Sequence, residues 1–382
     1  LGLPSTWQPF EFYRLLNCHL TRGVIEKRGG YDTLQTGGAM TGGGAGNSLY
    51  CTAGTTNKVV MAAVNTRLFS IPKAGGGATE RAAGLPAGVR WDMCEFVEAG
   101  TTLWIGANGS GVPHKWNTTA ASTTAMVGQT IDAGVNCNVV MANNGRLWMG
   151  KGRTVYVTNL RKSDTYSGST LLIDSDGRQG DLTKLVPLER AQSLWFCERE
   201  TYLMLGTDPG DQSGMPNIRI LDLFEVGAPS NRAVVKVGPE VFFFGVENGR
   251  YGFFKTDGSE VQCISDNLQD DIDTVNTAVL ETAVAVQVGK NVVFGLALGA
   301  ATEVSQLFVY HRTLPGRPWT TWIFAANPRC FARDPATGTV FWGNQATANV
   351  QRYLPTTYND LAAAIDMDVI TGPWSTGVDL VE

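Results

Sequence analysis

The sequence predicts an all-β protein, a β-propeller of about six or seven blades. Three observations lead there: a glycine-rich, weakly charged composition; short apolar runs separated by turns; and a hairpin unit that recurs at blade-like intervals. Of 382 residues, 45 are Gly and only 17% are charged, against a Gly share of roughly 7% in average proteins. From residue 49 onward, runs rich in β-branched and aromatic residues alternate with Gly, Asn and Asp turns. Such strands become stable only when stacked into sheets.

The repeat is the most specific of the three signals. Cys94 opens CEFVEAGTTLWIG, Cys137 opens CNVVMANNGRLWMG and Cys330 opens CFARDPATGTVFWG. In each, an apolar strand meets a turn (Ala99-Gly100, Asn144-Gly145, Thr337-Gly338) and then a strand carrying Trp104, Trp148 or Trp342. Asn-Gly suits the two positive-φ positions of a type I′ turn, whose twist matches that of paired strands. Looser copies run over residues 59–71, 193–206, 241–254 and 291–312. Taking Leu68, Leu103, Leu147, Tyr202, Tyr251, Leu307 and Val340 as equivalent points gives steps of 35, 44, 55, 49, 56 and 33 residues. These bracket the ~40–50 residues of a propeller blade. Loops are expected to absorb the irregularity; a β-sandwich pair or a β-solenoid is the rival architecture, though a solenoid would show a shorter, stricter period.

The chain divides on this reading into an N-terminal arm and Gly-rich linker (1–48), the propeller (49–355) and a C-terminal segment (356–382). The arm carries Trp7, Phe10, Phe12, Tyr13, Leu15 and Leu16, followed by the basic pair Lys27-Arg28, and the linker holds six glycines between Gly37 and Gly46. An apolar leader of this kind must be buried somewhere. Residues 265–269 resemble a capping box, with Leu268, Ile272 and Val275 on one helical face. Residues 359–365, around Ala362, Ala363 and Ala364, form a second short helix candidate. Leu1 is not an initiator Met and the end at Val381-Glu382 shows no evident stop, so both termini are provisional.

Few residues suggest chemistry. The net charge of −5 and pI near 5.4 argue against a surface built to grip nucleic-acid phosphates, which needs clustered Lys and Arg. Seven cysteines lie far apart, without the paired spacings that zinc requires, and read as buried free thiols. No apolar run approaches the ~20 residues of a membrane-spanning helix. Asp270, Asp271 and Asp273 are the densest carboxylate group, better explained by the start of a helix, where negative charge is favoured. Asp174, Asp176 and Asp181 lack the full calcium-loop spacing. His19, His114 and His311 are too scattered to suggest a triad. Asn108-Gly109-Ser110 and Asn117-Thr118-Thr119 fit a glycosylation acceptor, of little weight without a signal peptide. The expectation is no cofactor, no metal and no enzymatic activity.

Several stretches resemble the propeller proteins of tailed-phage particles, the tail nozzle and DNA-retention components of short-tailed phages. Asn17 with GVIEKRGGY (residues 23–31) resembles their opening strand and basic pair; PEVFFFGVENGRYGFFKTDGSEVQCIS (239–265) resembles a strand, turn and aromatic strand leading to a helix; QLFVYHRTLPGRPWTTW (306–322) is similar to the end of a blade. His311 stands where the family pattern has an acidic residue. DVITGPWSTGVDLVE (368–382) looks like a return strand into a following domain. The resemblance implies a homo-oligomeric ring, commonly a hexamer, in the tail or head-tail junction of the virion, assembled in the host cytoplasm. Its partners would be portal, adaptor, tail fibre or needle proteins, and DNA in transient, non-specific passage. It also makes a neighbouring subunit the expected recipient of the arm. Two alternatives stand: a carbohydrate-binding, receptor-recognising propeller, for which the ten Trp would supply sugar platforms, and a propeller glycosidase, which would need two carboxylates converging on a cleft.

Overall fold

The computed structural model describes residues 12–21, 24–53, 58–126, 136–166, 170–173, 180–189, 191–210, 217–314 and 319–371. They form a seven-bladed β-propeller with one short helix. Blade one consists of Gly46–Cys51, Val59–Val64, Arg67–Pro72 and Thr79–Ala82; blade two begins at Asp92–Glu98, blade three at Val139–Asn143, blade four at Leu182–Pro187, blade five at Val234–Val237, blade six at Val284–Val288 and blade seven at Pro328–Arg333. Successive strands within a blade pair antiparallel.

The three Cys-initiated hairpins are the first two strands of blades two, three and seven, paired Glu98↔Thr101, Asn143↔Arg146 and Arg333↔Val340 at their turns. The looser copies are displaced by one strand. Residues 59–71, 193–206, 241–254 and 291–312 fall on strands two and three of blades one, four, five and six. This displacement, rather than loop length alone, made the steps irregular. The second strands begin at 59, 101, 146, 192, 240, 291 and 340, giving successive steps of 42, 45, 46, 48, 51 and 49. The short steps of 35 and 33 joined a third strand to a second, and the step of 55 joined a second to a third.

Propeller sheets are covered on both faces, which explains why the strands read as apolar runs rather than as alternating ones. The buried apolar side chains form seven clusters, one at each blade interface. Along Arg146–Lys151, Leu147 and Met149 pack toward blade two while Trp148 packs toward blade four. Trp104, Trp148 and Trp342 are all fully buried between blades. They do not face the same way, however. Trp104 and Trp342 pack against the preceding blade and Trp148 against the following one. Similar slots in the hairpin therefore end on opposite faces, because a shift of one residue reverses the face in a strand.

The turns are partly as the sequence suggests. Asn144-Gly145 and Asn248-Gly249 carry two positive φ values each, the type I′ requirement. Ala99-Gly100 does the same with φ 49° at Ala99, an unfavourable conformation for a residue with a Cβ. Thr337-Gly338 differs. There Asp334 organises a longer loop, receiving Gly338 N–H on its backbone carbonyl and the Thr337 hydroxyl on its carboxylate at 2.8 Å each.

The N-terminal boundary differs from the sequence reading. Residues 1–48 are not merely an arm and linker, because Gly30–Thr33 pairs with Val350–Leu354 as the fourth strand of blade seven. Phe12–Leu16 extends blade six, parallel to Trp319–Trp322 and antiparallel to Asp368–Thr371. At the other end, strands at Asn359–Asp360 and Ala363–Ala364 continue blade seven past residue 355. The second helix candidate is thus a hairpin, turned by Leu361 at φ 58°. The first candidate is correct in place but short: Asp266–Leu268 is 3-10 and Gln269–Ile272 is α-helix. Ile272 is buried, with Leu268 and Val275 against the same cluster. The capping box expected between Asp266 and Gln269 does not form: no side chain caps the helix start, and Gln269 Nε2 donates instead to the Tyr251 carbonyl at 3.4 Å.

Arg28 fixes this closure. Its guanidinium lies 1% exposed, donates to both Asp360 carboxylate oxygens at 2.8 and 2.6 Å, to Asn17 Oδ1 at 2.9 Å and to the Ile323 carbonyl at 2.6 Å, and sits over the Phe324 ring. Removing one member of a buried pair strands the other charge at a cost of about 3–5 kcal/mol. Arg28→Met should therefore lower unfolding stability in urea by about that amount, and Arg28→Met/Asp360→Leu by clearly less. Equal losses in both variants would contradict the clasp. At the strained turn, Ala99→Asn should raise stability by about 0.5–1 kcal/mol in the same assay.

Candidate functional site

In propellers the axis is where side chains from every blade converge, and here the mouth on the face where the inner strands begin is crossed by arginines. Arg232, just before blade five, donates from Nη1 to the carbonyls of Asn47 in blade one (2.9 Å) and Arg329 in blade seven (2.6 Å), and from Nη2 to the Glu281 carbonyl beside blade six (3.3 Å). Arg90, just before blade two, crosses to the Glu281 carbonyl and lies 3.7 Å from its carboxylate. Arg329 pairs with Glu303 at 3.4 Å. Burial, reinforced by neighbouring Arg90, pushes Arg232 down to about 9. Lys184 of blade four reaches past blade three to Asp92 of blade two, whose second oxygen accepts Val140 N–H at 2.9 Å. The axis is therefore bridged by the arginines, and the Lys184–Asp92 pair ties blades two, three and four together beside it.

The residues singled out in the sequence are placed elsewhere. Trp7 and Phe10 lie outside the described residues, as do Asp174 and Asp176. The backbone at Phe12 and Tyr13 is in the strand beside Asp368–Thr371, and Leu16 is half-buried, aligned with Thr321 and Asp368. Arg28 faces inward and holds its own chain, so its guanidinium is spent on closure. From Phe12 onward, then, the arm is built into the propeller of its own chain.

Asp270, Asp271 and Asp273 are exposed. The first two lie in the first turn of the helix, but Asp273 is its C-cap, so the dipole argument covers only the first two. Burial, with Asp270 adding, raises the Asp271 carboxyl. Among the described residues no group of three or more His, Cys, Asp or Glu side chains could hold a metal ion. All seven cysteines are free. Asn108 and Asn117 use their Oδ1 atoms to accept backbone N–H groups two and three residues on, an Asx-turn role. The eight described Trp residues are all buried.

Two histidines do converge. His19 packs edge-on against Trp322 at 4.7 Å and shares a hydrogen bond with Tyr353 Oη at 3.0 Å. His311, fully buried, shares one with Thr320 Oγ1 at 3.0 Å, and that hydroxyl donates to the Cys18 carbonyl. The rings lie 6.3 Å apart. Burial pulls both down to about 4, with Arg28 adding at His19 and His19 at His311. They serve as neutral packing and hydrogen-bonding groups at the joint between the N-terminal strands and blade six.

Sequence reading missed Arg90, Asp92, Lys184, Arg232 and Arg329. Their shared feature is position, at or just before an inner strand, and it becomes visible only once the blades are aligned by second strands.

No protein-family model matches the sequence, and no curated protein matches it. Solved structures are similar in fold. The extracellular domain of the one-component system BT4673 from B. thetaiotaomicron superposes with TM-score 0.56 at 11% identity, over 86% of this chain and 40% of that one. Chaetomium thermophilum Raptor gives 0.56 at 12% over 86% and 29%. PorZ of Porphyromonas gingivalis, a surface component of the type-IX secretion system, gives 0.50 at 12% over 90% and 39%. The chain thus spans about two fifths or less of these proteins. At such identity the likeness establishes the propeller fold alone.

The histidine joint carries a pH dependence. With folded values near 4 and an unfolded value near 6.5, the unfolded chain binds protons first as pH falls. Stability from these groups is complete above about pH 6.5 and is lost progressively toward pH 4. Unfolding free energy measured in urea should fall across that window, by up to about 3 kcal/mol for His311, and His311→Gln should flatten the decline.

Proposed function

We propose that this propeller is a structural subunit of a tailed-phage particle, part of a tail nozzle or head-tail ring, and that DNA passes through the centre of the ring rather than along the blade axis. The observation that carries this reading is where its resembling motifs meet. The opening motif (Asn17, residues 23–31) and the blade-ending motif (306–322) are some 290 residues apart in sequence. They nevertheless build one joint: Asn17 N–H donates to the Thr321 carbonyl at 2.7 Å, Trp322 Nε1 to the Cys18 carbonyl at 2.9 Å, and Arg28 to Ile323, immediately after Trp322. The resemblance therefore tracks a working part of the fold, its closure. His311, the departure from the family pattern, sits in this joint as a buried neutral group where an acidic residue would need a cation.

The bridged axis supports the division of labour. A seven-bladed ring crossed by Arg232, with the Lys184–Asp92 pair joining blades four and two, leaves its outer surfaces for neighbours. The weak overall charge suits a surface beside moving DNA, since clustered cations would hold phosphates. The carbohydrate-binding alternative relied on Trp platforms, and the eight described Trp are engaged in blade packing.

Native mass spectrometry of the full chain at micromolar concentration tests the ring. Six-copy assemblies are the expected product. A monomer that also binds or cleaves glycans on an array would overturn this reading in favour of the carbohydrate alternatives.

A further inference from the structure

The arginine mouth has polar atoms left over after its bridging role is accounted for. Arg232 and Arg329 each have an Nε–H with no acceptor, and Glu303 has an Oε2 with no donor, all three atoms being buried. Three guanidinium groups face two carboxylates here, leaving one net positive charge. Glu281 contributes little screening inside the cluster, since its side chain is 59% exposed, against 19% for Arg90 and 21% for Arg329. Arg90, Arg232, Arg329 and Glu303 lie close enough that Arg232 responds to all of the others. A buried cation with unmet donors is unfavourable unless an anion or water answers it.

We propose that this mouth binds a phosphate group that still carries a proton, either inorganic phosphate or the terminal phosphate of a monoester. The donor and acceptor inventory selects it. The two Nε–H groups and the net charge call for anionic oxygens, which guanidinium groups recognise well. Glu303 Oε2, being an acceptor, calls for a hydroxyl. A phosphate near its second ionisation, around pH 6 for monoesters, offers both. Sulfate and a carboxylate offer only acceptors and meet Glu303 with repulsion. The phosphodiesters of a DNA backbone also lack the hydroxyl, so this recognition is separate from the passage of DNA.

Isothermal titration of the full chain at pH 6.5 with sodium phosphate, sodium sulfate and glycerol 1-phosphate, at matched ionic strength, tests the proposal. Phosphate should bind about 10-fold or more tightly than sulfate, the worth of one charge-assisted hydrogen bond. Arg329→Met removes a free Nε–H but keeps the backbone carbonyl that receives Arg232, so the fold should persist by circular dichroism while phosphate affinity drops about 10-fold or more. Glu303→Gln replaces an acceptor by an amide and should narrow the gap between phosphate and sulfate. Glycerol 1-phosphate binding at least as tightly as phosphate assigns the site to a monoester; weaker binding assigns it to free phosphate. Absence of phosphate binding at millimolar concentration, equal binding of sulfate, or wild-type affinity in folded Arg329→Met would each overturn the proposal.

Discussion

Closure of the ring is the constraint on which the rest of this structure depends. A propeller has no edge at which to relax: unless the last blade meets the first, two blade faces covered with apolar side chains stand open to water. Here the meeting is enforced at several points. Gly30–Thr33 enters blade seven as its fourth strand, Arg28 clamps Asp360, and Lys73 of blade one pairs with Asp334 of blade seven at 2.7 Å while also donating to Thr52. Burial pushes the Asp334 carboxyl up, but hydrogen bonds from Lys73 and Thr337 outweigh it, and the group remains lowered. Across the axis, Arg232 donates to the inner strands on both sides of this seam. The backbones approach so closely there that a Cβ on Gly46 would lie 2.9 Å from the Cα of Gly343.

Between blades, the stabilising surface is divided into seven modest clusters rather than one core. Each strand serves two of them by sending successive side chains to opposite faces. The arrangement tolerates drift in sequence at any one interface, provided that each blade keeps its volume. That fits the 11–12% identity found among structures of this shape, and it explains why function here must be sought in loops and axial residues rather than in the fold.

At the axis, the same groups meet both demands. Guanidinium groups that bridge blades must be brought together, and bringing them together concentrates positive charge. The two carboxylates nearby offset it only partly. The cost of that imbalance in a buried place is what makes the mouth the most chemically distinctive feature among the described residues.

Much of this was legible in the sequence. The glycine content, the turn chemistry of Asn144-Gly145 and Asn248-Gly249, and the recurring hairpins determined an all-β protein of repeated blades, because turn and strand preferences are local. The inward-facing apolar positions Leu268 and Ile272 were readable for the same reason, whereas Val275 falls past the helix, in a bridge with Leu298. What tertiary structure decided was everything joining distant segments. Arg28 looks like an arm residue until Asp360 arrives from 332 positions away, and residues 359–365 look helical until Asp360 is drawn into a strand beside Tyr31. Trp104 and Trp148 occupy similar slots in their hairpins yet face different blades, because facing depends on register, which the whole sheet sets. Arg90, Arg232 and Arg329 carry no motif at all; only the closing of seven blades around one axis brings three such cations together.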